Sequence, residues 1–309
     1  NYGYLGKFEI EKENSYEFTT YETTDASGNV VTSTPGLVQN GVNDVEVTFT
    51  PSETNNDMAA ITNQYFTLYD NVPGNYENYT QLLDGGALLN GMRPESVYGL
   101  WRNIGYAYNS SSKQNRNQFR ITGIGSADIG DHALSIGFEY EQRVDRYFGV
   151  SPVGLWGLMR QYANSHTDYG RGLDEGQASL SYFGSALQVD YATLNEASGA
   201  YTGGDNGDAQ SFFDYNLRLA LGMDDDGTEF INVDALDPNL YSLAMFSADE
   251  LFNQGSSYVS YYGYDHTGKK LKGRPSFDDF FTKDDDLGNY TRPIGAFEPI
   301  YISGYIMDK

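Results

Sequence analysis

Oxygen-bearing side chains crowd into one short segment of the chain. Residues 224–229 read DDDGTE and place four carboxylates in six positions. Carboxylates on a glycine-bearing loop are typical Ca²⁺ ligands, so a calcium site is one interpretation, with Asp224, Asp226 and Glu229 as candidate ligands. The spacing lacks the EF-hand pattern D-x-[DN]-x-[DN]-G. The alternative interpretation is a solvated acidic loop in a protein that holds no cofactor.

A pair of glutamates raises the question of acid–base catalysis. Glu139 and Glu141 would lie about 7 Å apart on one face of a strand, and glycosidases use two carboxylates about 5–9 Å apart. The neighbouring Arg143 favours a different interpretation, a charged face in contact with water. No serine lies in a nucleophile-elbow pattern, and cysteine is absent. The sequence therefore predicts no catalytic residues and a protein that is not an enzyme.

Tyrosines are concentrated in the run SYVSYYGYD, at Tyr258, Tyr261, Tyr262 and Tyr264. Such rings can stack against a sugar or peptide ligand, and they can also pack surface loops together. The same two interpretations apply to a second cluster, YFTLY at 65–69. Packing is the interpretation we favour, and the four tyrosines remain the candidates for ligand contact.

The amino-acid composition limits which partners the protein can bind and which secondary structure it can form. The chain has 309 residues, with 43 acidic against 19 basic side chains and a net charge of −24. Phosphate backbones repel such a polyanion, which excludes nucleic acid as a partner. The abundance of tyrosine, phenylalanine and glycine favours strands and irregular loops. No apolar run approaches the roughly 20 residues of a membrane helix, whereas a membrane strand needs only about 9–11 residues.

The clearest structural signal is a long hairpin. Its arms, at 116–129 and 132–147, are joined by Gly130-Asp131, and a two-residue turn of this kind is typical of a tight β-hairpin. Strands of this length can span a bilayer when they are tilted as in a membrane barrel. Apolar and polar residues alternate along the second arm, so the hairpin has an apolar face and a polar face. In the first arm Ile124 interrupts the polar face.

The two faces predict two environments if the hairpin lies in a membrane. Lipid would contact the apolar face, and a watery barrel lumen would contact the polar face. The lipid-facing candidates are Phe119, Ile121, Leu134, Ile136, Phe138 and Tyr140. The lumen-facing candidates are Arg120, Glu139, Glu141 and Arg143. The same alternation also fits a hairpin in a soluble β-protein.

Shorter alternating segments near 2–9 and 294–308 predict two further strands, although the second leaves its apolar face undecided. Two long stretches, 10–115 and 148–293, separate the strands. We expect folded insertions there, because they contain helical patterns. The predicted helices are 56–69, a helix beginning at Ser151-Pro152 and carrying Leu155, Leu158, Met159 and Tyr162, 211–221, and 247–253 with a capping box. Tight turns opposite large insertions are typical of outer-membrane barrels.

Several strings resemble the barrel of Bacteroidetes TonB-dependent outer-membrane receptors. They are YGYLGKFE, NYENYTQLLDGGALLNGMRPESVYGLW, QFRITGIGSADIGDHALSIGFEYEQRVDRYF with the following SPVGLWGLMRQYANSH, MFSADELFNQGSSYVSYYGYDHTGKKLKGRPSFDDFFT and PIYISGYIMDK. The resemblance covers nearly the whole chain and is weakest over 10–45 and 171–210. It implies a plugged barrel of 22 strands that imports a ligand with energy passed by TonB.

On this resemblance, the chain has an all-β fold and supplies four strands of a large transmembrane antiparallel β-barrel in the bacterial outer membrane. The insertions would be long extracellular loops containing short helices. The implied partners are membrane lipid, the rest of the barrel and its plug, the TonB complex through a part absent from this sequence, and a surface lipoprotein where one caps the barrel. We therefore expect a fragment of a longer receptor.

Two other classes of protein remain open from the sequence. One is a soluble secreted β-protein that binds or acts on glycans through its acidic and aromatic residues. The other is a structural surface protein built on a receptor-like barrel that has lost transport. The residues do not specify the ligand, since siderophores, glycans and peptides are all compatible with loops of this composition.

Overall fold

The computed structural model describes residues 3–69, 76–92, 109–167, 173–193, 201, 210–283 and 287–309. The chain divides into two compact units. The first unit comprises Asn1–Asn109 and Pro152–Phe246, and the second comprises Ser110–Ser151 and Ser247–Lys309. Strands predominate and form two sheets, which confirms the expected β-rich class.

The strands and helices have the following bounds. The strands are β1 (Gly6–Thr24), β2 (Val30–Pro51), β3 (Ser111–Ile129), β4 (His132–Val150), β5 (Leu173–Phe183), β6 (Ala186–Thr193), β7 (Val259–Tyr262) and β8 (Ile300–Asp308). The α-helices are α1 (Asn56–Tyr69), α2 (Tyr79–Asp84), α3 (Leu155–Tyr162), α4 (Phe212–Leu221) and α5 (Ala248–Phe252). Short 3₁₀ turns lie at Val233–Ala235, Pro238–Leu240, Leu243–Met245, Asn253–Gly255 and Asp278–Phe281.

A long hairpin in the first unit was not predicted. β1 has 19 residues and β2 has 22, and the carboxylate of Asp25 closes their turn by accepting from the backbone N–H groups of Ser27 and Asn29. The predicted strand near 2–9 is therefore wrong in its bounds. The strand continues to Thr24 through mostly polar residues, and both of its faces are largely exposed there. The sequence of this part therefore shows no alternation of apolar and polar residues.

A second hairpin, β5–β6, extends this sheet in the order β1-β2-β6-β5. β6 pairs in parallel with β2 over three residues, beginning at Gly36 and Leu187. A side chain at Gly36 would overlap the Leu187 carbonyl, so the strands approach closely only because glycine lies there. Pro35, which has no N–H to donate, precedes this pairing. In the stretch 148–293 the sequence patterns predicted only helices, so β5 and β6 were missed.

The core of the first unit lies between the β1–β2 hairpin and helices α1 and α2. Phe8 is fully buried, its ring centroid lies 4.5 Å from that of Phe49, and Phe66 stacks on Phe49 at 5.7 Å. The hydroxyl of Thr62 on α1 bonds both backbone groups of Leu88. The buried core residues are Phe8, Val47, Leu82, Ala87 and Leu89, with Leu5, Met58 and Leu88 beside them.

Three of the four predicted helices are confirmed closely. α1 has the predicted bounds, α4 begins after the cap Ser211, and Ser247 and Glu250 form the predicted capping box of α5. The fourth is wrong at its start, because α3 begins after Gly154 with no side-chain cap. Ser151 does not cap it, because the N-cap position is Gly154, three residues later, and the Ser151 backbone N–H donates to the carbonyl of Tyr258.

The second unit contains the predicted tight hairpin. β3 and β4 have 19 residues each, longer than the predicted arms at their open ends. The turn holds Gly130 at a φ of +62°, a conformation that glycine adopts without strain. The register runs from the pair Ile129–His132 to the pair Ser111–Val150 without a shift.

β4 also carries two strands on its other edge. β8 pairs antiparallel with 134–142 and β7 with 147–150. The strand predicted at 294–308 begins later, at Ile300, after an isolated bridge between Phe297 and Asp145. Among the described residues neither sheet closes into a barrel, and β3 has no strand on its outer edge. The transmembrane barrel therefore remains a proposal.

Candidate functional site

One face of the second unit's sheet is apolar and exposed. Partners across an antiparallel sheet point to the same side, so the register places the predicted lipid-facing residues together with part of β8. Leu134 and Tyr140 are half-buried, and the other members are 50–72% exposed. The apolar face comprises Phe119, Ile121, Leu134, Ile136, Phe138, Tyr140, Ile300, Ile302 and Ile306.

Large and small side chains alternate across the apolar face. Phe138 lies between Gly123 and Gly304 on the neighbouring strands, and Ile136 lies between Gly125 and Ile306. The rings of Phe119 and Tyr140 meet edge to face with centroids 6.5 Å apart. Residues paired across β3, β4 and β8 form a row. From the row that contains Phe119 to the row that contains Ile136, the apolar face carries no charged side chain. Such a surface is unfavourable in water and suits contact with acyl chains.

The opposite face is polar and its charges are paired. Arg120 lies 2.8 Å from Glu139 and Arg143 lies 2.7 Å from Glu141, so all four predicted lumen-facing residues share this side. Arg116 adds a third pair, 2.9 Å from Asp145. Each glutamate is held by an arginine, so neither carboxylate is placed as a free acid or base.

The register settles which side of β8 is apolar. Ile300, Ile302 and Ile306 lie opposite Gln142, Tyr140 and Ile136, on the apolar face. Tyr301 and Tyr305 lie opposite Glu141 and Gly137, on the polar face. The sequence left this orientation undecided because isoleucine and tyrosine alternate there and both suit a lipid interface.

The predicted ligand-contact tyrosines separate into buried and accessible positions. Tyr261 is buried, stacks on Phe252 at 5.6 Å, and donates to the carbonyl of Arg292. Tyr264 is buried too. Tyr262 stacks on Tyr147 with centroids 6.0 Å apart, and both rings are half-buried. Tyr258 is half-buried as well. Packing therefore accounts for Tyr261 and Tyr264, whose side chains are buried in this unit.

The second aromatic cluster packs inside the first unit. Phe66 lies between Phe49 and Tyr76, with the Tyr76 centroid 4.6 Å away. The Tyr76 hydroxyl donates to the carbonyl of Tyr65. The side chain of Tyr69 lies outside the described residues.

The acidic loop at 224–229 is tied down by buried donors. Three side chains donate to its backbone carbonyl oxygens: Gln210 to Asp225, His166 to Gly227 and Arg218 to Glu229. Among the described residues, no group of three or more histidine, aspartate or glutamate side chains is placed to hold a metal ion. The structure thus does not gather Asp224, Asp226 and Glu229 as calcium ligands, and the Glu229 carboxylate lies 3.9 Å from Arg218.

The donors to this loop belong to a buried ionic cluster that the sequence did not reveal. Asp214, His166 and Arg218 have fully buried side chains. Oδ2 of Asp214 accepts from Arg218 Nε and Gln210 Nε2, each at 2.9 Å, and lies 3.1 Å from His166 Nδ1. Burial raises the pKa of Asp214, but hydrogen bonds from His166 and Gln210 and the charge of Arg218 outweigh it and hold the pKa below its ordinary value.

A second buried network joins the start of β1 to the 232–234 turn. The side chain of Asn90 accepts from the backbone N–H groups of Leu5 and Gly6 and donates to the carbonyl of Gly6. It also donates to Asp234, which forms a two-point ion pair with Arg160. All of these groups have partners within the first unit, so the network stabilises structure and has no free group for chemistry.

Comparison with known proteins found no family model, no curated protein and no solved structure that matches the chain. No helix in the described part of the chain is long and apolar enough to span a membrane.

Proposed function

We propose that the chain forms part of the barrel wall and the extracellular insertions of an outer-membrane TonB-dependent receptor. The observation that carries the proposal is the sheet of β3, β4 and β8, which has one exposed apolar face and one face of paired charges. A soluble sheet buries its apolar face on a core. Exposed aromatic and aliphatic side chains on three adjacent strands are favourable where the solvent is lipid.

The dimensions support a membrane wall. The uncharged part of the apolar face extends from the row of Ile136 to the row of Gln142, and six steps of about 3.3 Å give about 20 Å along the strand. At a tilt of about 40° this corresponds to about 15 Å of the apolar band of an outer-membrane barrel, which is about 25 Å tall. The next row holds Leu134 and, on the same face, Asp308, so on the proposal this row lies at the membrane interface.

The opposite face supports a water-filled interior. Ion pairs of arginine with glutamate are costly in hydrocarbon and well tolerated in contact with water. On the proposal, the outer edges of β3 and β8 pair with strands beyond the described residues, because an unpaired backbone edge is unfavourable in lipid. This segment would enclose the import path, and the insertions would capture the ligand at the cell surface.

Orientation gives a direct test. The proposal places the Gly130-Asp131 turn in the periplasm and the β1–β2 turn outside the cell. Both turns are exposed, and the chain has no cysteine. In intact cells producing the full chain, a membrane-impermeant maleimide should label Ser27→Cys, and should label Asp131→Cys only after the outer membrane is permeabilised.

Two results would contradict the proposal. Equal labelling of both variants on intact cells would indicate a protein outside the membrane. A folded, monodisperse chain in buffer without detergent would indicate the soluble glycan-binding alternative.

A further inference from the structure

A column of aromatic rings runs along the polar face of the second unit's sheet. Phe297 lies opposite Asp145, Tyr301 opposite Glu141 and Tyr305 opposite Gly137. All three rings therefore point to the side of the ion pairs, away from the apolar face. They are spaced four residues apart, about 13 Å, and are 64%, 56% and 46% exposed.

Tyr305 lies flat because of a glycine. Its ring covers Gly137, where a Cβ atom would overlap the ring. Ile124 lies on the far side of Gly137 in the same row of the sheet. Ile124, which interrupts the polar pattern of β3, thus forms with Gly137 and Tyr305 an apolar patch on an otherwise polar face. A ring lying on glycine presents its other side outward, the geometry that stacking on a ligand needs.

The charges beside the column cancel. Along 116–122 and 139–145 the polar face carries three arginines, Arg116, Arg120 and Arg143, and three carboxylates, Glu139, Glu141 and Asp145. Each arginine is paired within the face. Because these six charges sum to zero, charge on this face does not select a ligand, whereas the net charge of −24 makes the chain as a whole attract cations.

We infer that Phe297, Tyr301 and Tyr305 form a binding track for an elongated, uncharged ligand with flat apolar faces. Two sources share this chemistry: a hydroxyl-rich oligomer such as an oligosaccharide, whose C–H faces stack on rings, and a polyether. Paired arginine and glutamate side chains supply hydrogen-bond donors and acceptors beside the rings without a net field. The inference rests on the proposed function only in treating this face as the wall of the import path.

The test uses the full chain in lipid nanodiscs and saturation-transfer NMR. The probes are maltohexaose, hexaethylene glycol, tetralysine and tetraglutamate. The wild type should bind an uncharged probe and should not bind tetraglutamate. Tetralysine is attracted by the net charge of −24, so any binding of tetralysine should not depend on the three rings. The triple variant Phe297→Leu, Tyr301→Leu, Tyr305→Leu should weaken that binding at least about tenfold, because three stacking rings are lost. The matched control, Phe119→Leu with Tyr140→Leu, removes rings from the apolar face and should leave binding within about twofold.

A second variant tests the charge argument. Glu139→Gln with Glu141→Gln leaves two arginines unpaired and should confer binding of tetraglutamate. Binding of maltohexaose alone identifies a hydroxyl-rich ligand, and binding of hexaethylene glycol alone identifies a polyether. The inference is overturned if no uncharged probe binds, if a charged probe binds the wild type and loses binding in the triple leucine variant, or if both leucine variants lose binding of the uncharged probe equally. The two proposals can fail separately. If cysteine labelling contradicts the membrane orientation but binding still depends on the three rings, the proposed function is wrong and the binding track is retained.

Discussion

Tyr305 lies on Gly137 across the β4–β8 pair, and its ring occupies the space that any side chain at position 137 would need. Glycine weakens a strand, and an aromatic ring on the neighbouring strand compensates by covering the exposed backbone. The pair links a glycine on the polar face of β4 to the orientation of β8.

This relationship predicts a coupling between the two positions. Gly137→Ala forces the Tyr305 ring off the sheet and should lower the free energy of unfolding by about 1 kcal/mol. In a Tyr305→Ser background the same change should cost less, because the ring is gone. A double-mutant cycle in urea measures the difference, and additive effects would show that the contact is not energetically significant.

Acid should destabilise the first unit through Asp214. Its pKa lies below its ordinary value in the folded protein, so the folded state binds this proton more weakly than the unfolded chain. Its contribution is complete above about pH 5 and is lost as the pH falls below about 4, through the folded pKa. Unfolding free energies measured between pH 2 and 7 should show this loss.

The variant Asp214→Asn should remove that part of the acid dependence. It should also destabilise the protein at pH 7 by about 3 kcal/mol, because the buried Arg218 then keeps only the exposed Glu229 carboxylate, 3.9 Å away, as a charged partner. Asp57→Asn, at an exposed carboxylate of α1, is the control and should change neither quantity by more than about 0.5 kcal/mol. Equal effects of the two variants would contradict the role of Asp214.

Asn90 should be among the most sensitive positions of the first unit. Asn90→Ala removes three hydrogen bonds to the backbone of Leu5 and Gly6 and one to Asp234, and it leaves buried N–H groups unpaired. We expect a loss of about 3 kcal/mol in urea unfolding. Asn63→Ala, at an exposed site on α1, should cost less than about 0.5 kcal/mol. Similar losses at both sites would mean that the network has little energetic weight.

The two faces of β3 and β4 should respond oppositely to an added charge. Phe138→Arg places a cation at the centre of the apolar face and should cost about 2–4 kcal/mol of folding stability in lipid vesicles. Thr122→Arg places the same side chain on the polar face opposite Glu139, where it should be tolerated within about 1 kcal/mol. Heat-modifiable migration on gels reports the folded fraction, and equal tolerance would indicate a face that does not contact lipid.

Local signals in the sequence predicted the elements that they encode directly. The Gly130-Asp131 turn, the alternation of β4, the capping box at Ser247 and the helices 56–69 and 211–221 are found closely as predicted. Each depends on residues close together in the chain. The β1–β2 hairpin was not predicted, because both faces of its distal half are exposed and the sequence there shows no alternation of apolar and polar residues.

The candidate site divides the same way. The alternation of apolar and polar residues predicted which side chains lie on each face of the tight hairpin, for example Phe138 on one face and Glu139 on the other. The orientation of β8 needed its pairing with β4, more than 150 residues away in the chain. In the buried cluster, Asp214 and Arg218 are an i,i+4 pair on α4 that helical spacing can indicate. His166 lies 48 residues before Asp214, and no spacing rule predicts that contact.

Lipid contact at the apolar face is the claim on which the functional proposal depends, and spin-label accessibility tests it most directly. Because the chain has no cysteine, single cysteines can be placed one at a time from 134 to 142 in the full chain in lipid vesicles. Collision rates with oxygen should be highest at 136, 138 and 140, and those with water-soluble nickel chelate highest at 139 and 141. Uniform access of the nickel chelate, or its preference for position 138, would contradict the account.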